Sequence, residues 1–447
     1  MSKNGFEKIA GYSSEKKSLK EICVLLQKHV DLQDMGIRLP HGILLEGKPG
    51  VGKTVLAEAL ISESGLPCIR VSAGASEEGE LASYLESCFN KAVEMSPAIV
   101  FLDELDKLVG ESEGFRYTYN MANSRKVLQV LNDHREDDIL VIATVNSTEM
   151  LCAAFKRSGR FDRILEIPLP TFNDRLQILS FYCAGKPISK RVNRDYVAKM
   201  TAGMTGADIE CLVNEAGIHA VLEGNKTVRQ RDFDFAVNQK IFHGASRENK
   251  KTEEQNIVLA THEAGHLVAG LINDSDCVTG VSILPQGESA GHCGFVPSDN
   301  ELLTLKTLEN LIVGLLAGKA SEKLFFPHEE YLSSESDIEK ASFYAQRLVT
   351  EEGAYGIEYI ASSYRYDPKG VSEEKRQRIE QKCNEVLQNC FDKATTLLKE
   401  HKELVTTFVH QLVDKYSLSR AEIMRVFSEY QKKLKRKETQ EPSDACA

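Results

Sequence analysis

The sequence has no tryptophan and no apolar run approaching the roughly 18 residues that a membrane-crossing helix requires. Leu311 to Ala317 comes closest and is too short, so no membrane span is expected in this chain. Its polar start, Met1 to Phe6, does not resemble a signal peptide. Positive charge is short as well. The 55 Lys and Arg face 66 Asp and Glu, a formal net charge of −11, which argues against a nucleic-acid-binding surface over most of the molecule. Nor is there a disulfide framework: the eleven cysteines are odd in number, scattered and never spaced Cys-x-x-Cys. That usage fits reduced thiols in a cytosol-like compartment, and so a cytoplasmic location.

What is present is ordinary for a globular protein, with 42% hydrophobic and 27% charged residues. At 447 residues the chain has room for two or three domains with sizeable cores. After a short apolar start at Phe6, Ile9 and Ala10, an amphipathic helix is expected from Ser14, with Leu19, Ile22, Leu25 and Leu26 on one face. Ile43, Leu44 and Leu45 then predict a buried strand. It leads directly into Gly47-Lys48-Pro49-Gly50-Val51-Gly52-Lys53-Thr54 and a helix bearing Val55, Leu56, Ala59 and Leu60. Strand, glycine-rich loop, Lys-Thr and helix together are the context of a phosphate-binding P-loop. Glycines let backbone N–H groups wrap phosphates, Lys53 reaches the outer phosphates and Thr54 offers a hydroxyl to Mg²⁺. A second buried strand, Ala98 to Leu102, ends in Asp103-Glu104, where Asp103 suits the Mg²⁺ shell and Glu104 a water-polarising role. A third, Ile139 to Thr144, delivers Asn146, whose amide is placed to orient the same water. Arg160 and Arg163, far along the chain from the P-loop, suit arginine fingers offered to a neighbour's γ-phosphate; the plain alternative is a solvated pair.

The second chemical signal is His-Glu-Ala-Gly-His at 262–266. On a helix, His262 and His266 lie one turn apart and converge on one metal ion, with Glu263 beside the open position. Zinc held by two imidazoles and a further ligand acidifies water, and a neighbouring carboxylate takes the proton as that water attacks a peptide carbonyl. Ile257, Ala260, Ala264, Leu267 and Leu271 give this helix an apolar face opposite the histidines. Gly265, about 1 kcal/mol unfavourable in a helix interior, points to another backbone passing close by. Local sequence leaves His292, His328 and Glu329 open as further ligands. Between the two signals lie helical segments near 176–181, 195–200, 207–222 and 231–242, then a charged stretch from Glu248 to Gln255. After them, Val278 to Leu284 and His292 to Val296 predict strands around Pro285, an edge to which a substrate peptide can add as a strand, with an ordinary hairpin as the alternative. Ile379, Cys383, Val386, Cys390, Ala394 and Leu397 form a helical packing stripe, and Lys432 to Lys437 a basic tail.

In order, Gly50 to Thr54, Asp103-Glu104, Asn146, Ser158 to Arg163, Gly203 to Asp208 and His262 to His266 resemble the FtsH-type ATP-dependent zinc metalloproteases, from about Phe6 to about Tyr430. The resemblance implies an α/β P-loop AAA+ ATPase domain with a helical lid, followed by a mainly α-helical zinc metallopeptidase domain. The expected division is ATPase 1–170, lid 171–247, linker 248–256, peptidase 257–431 and charged tail 432–447. It implies Zn²⁺, ATP and Mg²⁺ as cofactors, a homo-hexameric ring and protein substrates. Gly47, Pro49, Gly50, Val51, Gly52, Lys53, Thr54 and Asp103 would then hold the nucleotide and its metal. Glu104 would activate water, Asn146 would be the sensor, and Arg160 and Arg163 would reach the next subunit. His262, His266 and, by the resemblance, Asp337 would bind zinc, with Glu263 as general base.

Three departures from the family are visible. The chain begins almost at the ATPase module, where the family ordinarily carries preceding membrane segments, so a soluble variant or a truncated product is expected. Lys48 stands where proline is common. The connection Ala73 to Glu80 is acidic and lacks the aromatic that grips a translocating chain, and the aromatics Phe115, Tyr117 and Tyr119 are candidates for that role, local packing being the alternative. The altered loop keeps two rival readings open: a nucleotide-regulated remodelling or assembly protein, and a zinc peptidase for unfolded peptides that uses ATP only to hold its ring together.

Overall fold

Three aliphatic runs form the centre of the first unit. They lie in β1 (Gly42–Glu46), β3 (Ala98–Leu102) and β6 (Ile139–Val145), where Ile43 to Leu45, Ile99 to Leu102 and Val141 to Ala143 are all buried. Strands apolar on both faces need cover on both, the condition met by parallel sheets flanked by helices. A computed structural model describes residues 5–28, 35–36, 40–71, 81–113, 116–119, 121–147, 151, 154–157, 159–241, 251–284, 291–295, 304–355 and 372–440. It shows five parallel strands in the order β2–β3–β6–β1–β7, with β2 (Cys68–Val71) and β7 (Arg163–Glu166) at the edges. In such sheets ligands bind beyond the carboxyl ends of the strands. The neighbours β3, β6 and β1 end there in Asp103, Asn146 and the P-loop respectively. Helix α1 (Ser13–Gln27) precedes the sheet, and α2 (Lys53–Ser64) leaves the P-loop. Three further helices belong with it: α3 (Leu81–Glu94), the short α4 (Leu105–Val109) and α5 (Met121–Asp133). A hairpin of β4 (Gly110–Glu113) and β5 (Arg116–Tyr119) lies between α4 and α5. The altered loop at 73–80, Phe115, and the side chains of Tyr117 and Tyr119 fall outside the described residues.

The chain divides into two compact units, Met1–Ile188 with Gly203–Asn214, and Ser189–Ala202 with Glu215–Ala447. Helix α6 (Phe172–Cys183) belongs to the first. Helices α7 (Arg194–Met200) and α9 (Gln230–Ile241) belong to the second, and α8 (Gly206–Leu222) contributes to both.

The second unit is built around α10 (Glu253–Asp274), which carries the His-Glu-Ala-Gly-His sequence. Thr252 and Gln255 close a capping box at its start, so the helix reaches back into the stretch expected to be linker. The expected apolar face opposite the histidines is also too narrow a description. Every residue from Ala260 to Ala269 is buried, the two histidines included, whereas Ile257 is 38% exposed. A helix covered on all sides is a core helix rather than an amphipathic surface one. It packs among α11 (Leu305–Phe325), α12 (Glu335–Thr350), α13 (Glu373–Glu400), α14 (Lys402–Lys415) and α15 (Arg420–Gln440). The close approach expected at Gly265 is there: a β-carbon would strike the Ala317 carbonyl and Ser321 of α11. The strands β8 (Val278–Ser282) and β9 (His292–Phe295) pair antiparallel, and β10 (Ser417–Ser419), not anticipated from its residues, adds to the other side of β8. The architecture is thus the expected class, an α/β parallel-sheet unit followed by a mainly helical one.

The burial of α10 makes a paired prediction. Leu267→Ala should cost about 2–5 kcal/mol, because it empties a closed part of the core. Ile272→Ala, on the same helix but partly exposed, should cost about 0.5 kcal/mol or less. Urea denaturation of the two variants, followed by helical circular dichroism, checks the contrast.

Candidate nucleotide site and metal centre

Gly50 and Gly52 adopt φ of 81° and 102°, a region that costs other residues energy, so the loop's curl depends on them. It folds over the Lys53 ammonium, which donates to the carbonyls of Gly47 (2.7 Å) and Lys48 (3.0 Å) and to Asn146 Oδ1 (3.0 Å). Lys48 contributes only its backbone there; its side chain is exposed, as is Pro49, while Val51 is buried. Burial pulls the Lys53 ammonium down from its ordinary value, opposed by Asp106, then Asp103 and Glu104. Thr54 Oγ1 donates to Asp103 Oδ1 (3.0 Å), and Thr144 Oγ1 donates to the same oxygen (2.7 Å). Hydroxyl and carboxylate are thus in contact where a Mg²⁺ shell needs them. Glu104 sits in left-handed backbone (φ 55°), its N–H held by Thr144 Oγ1 (2.8 Å) and its half-exposed carboxylate meeting Lys107 (2.6 Å). At the start of α8, the Ala207 N–H donates to the Gly50 carbonyl (3.2 Å), and Asp208 accepts from the Thr205 hydroxyl (2.8 Å) and N–H (3.0 Å).

The two arginines are elsewhere. Arg163 opens β7 opposite Ile43, whereas the carboxyl end of that pair is Glu46 with Glu166, about 10 Å further along. The turn before it is pinned by Asp162, which accepts from the N–H groups of Gly159 (2.7 Å) and His41 (2.8 Å), and Arg160 donates to the Ala154 carbonyl (2.6 Å). Arg163 therefore lies at the end of the sheet away from its own P-loop.

In the metal centre, His262 and His266 point their Nε2 atoms at each other, 3.0 Å apart. Each ring is held by its other nitrogen. His266 Nδ1 donates to the Gly314 carbonyl (2.7 Å), which can only accept, so Nε2 carries a lone pair. His262 Nδ1 donates to Glu322 Oε1 (2.8 Å). Glu322 is buried, which alone would raise its carboxyl, but bonds from His262, Ser333 and Lys319 bring it below its ordinary value. Asp337, in the first turn of α12, completes the group, with Oδ2 3.3 Å from His262 Nε2 and 3.2 Å from His266 Nε2. The three ligand atoms lie within 4.8 Å of one another, and among the described residues no other His, Cys, Asp and Glu group has metal-holding geometry. His292 in β9, His328 and Glu329 are not part of it.

Two inward nitrogens and a carboxylate oxygen, with outer hydrogen bonds fixing each ring, are the donor set of a catalytic zinc site with three protein ligands. The residues fit the ion. Without it, burial lowers the His262 imidazole, but bonds to Asp337 and Glu322 outweigh that and raise it to about 9. Asp337 is pushed up by burial and held well below the usual carboxylate range by His262 and His266. Glu263, 5% exposed, is raised by burial against the opposing pull of His266 and His262. Two glycines shape this pocket: a β-carbon at Gly318 would strike both imidazoles, and one at Gly291 would strike the Glu263 carboxylate.

Sequence reasoning missed Glu322, Gly314, Gly318, Thr144 and Asp106. Glu322 had a weak signal, an acid four residues after a glycine within an apolar helix. Asp106 had another, a third acid just past Asp103-Glu104.

Residues 43–169 match the family described as ATPase family associated with various cellular activities (AAA), 191–235 the AAA+ lid domain and 249–426 peptidase family M41. Three relatives, each called ATP-dependent zinc metalloprotease FtsH, are 32% identical to this chain. The one from Malacoplasma penetrans aligns over 91% of the chain, that from Cyanidium caldarium over 95% and that from Thermus thermophilus over 94%. The chain spans about half (52%) of the length of the Malacoplasma relative, and 72% and 70% of the other two.

Two predictions follow the ligand geometry. Because zinc has to displace the proton that His262 holds up to about pH 9, zinc affinity should rise about tenfold per pH unit from neutrality and level off near that value. Chelator competition across pH measures it. Glu322→Gln should weaken zinc binding about 10- to 100-fold at pH 7.5 by the same assay, since it removes the anion that orients His262.

Proposed function

The chain belongs to the FtsH family of ATP-dependent zinc metalloproteases, and from that premise we propose that it is itself an ATP-driven zinc endopeptidase acting on protein substrates. The observation that carries the reading is the convergence of His262, His266 and Asp337 beside the buried Glu263. His262, His266 and Asp337 would hold Zn²⁺, which when bound supplies Lewis acidity toward water and a peptide carbonyl. Glu263 takes the proton of the attacking water and passes it to the departing amine. Burial raises its carboxyl, which makes it the stronger proton acceptor when ionised. The strand β9 lies at the edge of its sheet and begins next to Gly291, which abuts Glu263, so a peptide adding to β9 as an extended strand would run past the base.

On the ATPase side, Gly47, Pro49, Gly50, Val51, Gly52, Lys53 and Thr54 wrap the phosphates of ATP, with Thr54 and Asp103 serving Mg²⁺. Glu104 and Asn146 orient water. Arg160 and Arg163, distant from their own P-loop, serve a neighbouring subunit's γ-phosphate in a homo-hexamer. The proposed division is ATPase 1–170, lid 171–247, linker 248–256, peptidase 257–431 and tail 432–447. No helix among the described residues is long and apolar enough to cross a membrane. The proposed cytoplasmic location rests on the scattered cysteine usage of the sequence.

The test uses a permanently unfolded and a stably folded substrate, with and without ATP. Glu263→Gln should lower cleavage of both about 10²- to 10⁴-fold while zinc content and ATPase activity persist. Glu104→Gln should stop ATP turnover and with it loss of the folded substrate. Cleavage of only the unfolded substrate, unaffected by Glu104→Gln, would favour a peptidase that does not pull. ATPase activity with no cleavage at all would favour the remodelling reading.

A further inference from the structure

Asp106 is 6% exposed, in the first turn of α4, and takes no part in the nucleotide chemistry assigned above. A buried carboxylate is costly unless its oxygens are satisfied. Here Oδ2 accepts from the Asn146 side-chain Nδ2 (2.7 Å) and more weakly from the Asn146 N–H (3.4 Å), while Oδ1 has no hydrogen-bond partner among the described residues. Packing does not explain a half-satisfied buried anion. Its position does: it is the largest of the charges that favour the Lys53 ammonium, ahead of Asp103 and Glu104.

Asn146 stands between these two ions. Lys53 can only donate and an ionised Asp106 can only accept, so the amide satisfies both in a single orientation, oxygen toward Lys53 and nitrogen toward Asp106. The opposite orientation would set two donors face to face at Lys53 and two acceptors at Asp106. We propose that Asp106 is a positioning residue for ATP hydrolysis that fixes the polarity of the Asn146 amide, so that Asn146 meets the P-loop side as a hydrogen-bond acceptor. With one N–H held by Asp106 and Oδ1 thereby turned to the Lys53 side, Asn146 meets the hydrolytic water through Oδ1, as the acceptor of the water's proton. This inference rests on the ATPase reading given above.

Full-length protein is assayed for steady-state ATP turnover and, separately, for affinity toward a fluorescent ATP analogue. Asp106→Ala should lower kcat about 10- to 100-fold and leave nucleotide affinity within about threefold. Combined with Asn146→Ala it should add nothing to the loss of that single variant, because the two act as one unit. Asn146→Asp alone places two carboxylates together and should be at least as impaired. The exchange variant Asp106→Asn/Asn146→Asp restores donor against acceptor while keeping an oxygen toward Lys53, and should recover at least tenfold in kcat over Asn146→Asp. Losses that multiply in the Ala pair, or an exchange variant no better than Asn146→Asp, would overturn the proposal even if Asp106→Ala itself failed to fold. Wild-type protein that binds ATP without hydrolysing it would instead remove the ATPase reading, and the proposal with it.

Discussion

Two imidazole nitrogens face each other across 3.0 Å, with a carboxylate oxygen against both, and much of the second unit is arranged to keep them there. Such a group repels itself unless a cation or a proton sits in its centre. The tertiary structure holds it from outside, through the Gly314 carbonyl on one ring and the Glu322 carboxylate on the other. Both partners lie on α11, so α11 has to run close against α10. Glycines make that approach possible: Gly265 gives room for the Ala317 carbonyl, and Gly318 gives room for the imidazoles. Glu322 also accepts from Ser333, and Lys319 donates to the Tyr331 carbonyl as well as to Glu322. The segment leading to α12 is thereby tied to the same carboxylate that orients His262. Asp337 arrives at the metal from a backbone already anchored to the first ligand's support.

The nucleotide side follows the same rule with opposite charge. A buried ammonium, Lys53, is satisfied by loop carbonyls and by an amide whose far end rests on Asp106. Parallel strands make this economical in sequence, since the carboxyl ends of β3, β6 and β1 lie side by side and residues from three distant segments meet without long loops. Thr144 shows how closely the strands are coupled there. Its hydroxyl donates to Asp103 and accepts from the Glu104 N–H, so one β6 side chain sets the position of both acids at the end of β3. Glu104 takes left-handed backbone at that point, and two residues on Asp106 faces Asn146.

The parts legible in sequence share one property, that their geometry is set within a few residues. Lys53 and Thr54 follow a glycine loop, and His262 and His266 are one helical turn apart. The apolar strands before Asp103 and Asn146 announce themselves by composition. Even the close approach at Gly265 was readable, because a glycine inside a helix costs energy that packing has to offset. The apolar face drawn for α10 was legible only in part. Periodicity distinguishes one buried face from a polar one, but gives no sign that the histidine face is covered too.

What the sequence by itself determined is therefore the local arrangement: a glycine-rich loop of P-loop form, strand-end acids and a two-histidine helix with its adjacent glutamate. Only the tertiary structure decided which distant groups complete them. Asp337 meets His262 across 75 residues of chain where His292, His328 and Glu329 do not, Glu322 does so across 60, and Asp106 meets Asn146 across 40. No short-range period encodes such pairings. They are set by the packing of α11 on α10, of α12 on α11, and by the register of β3 with β6, and they exist once those elements have closed their cores.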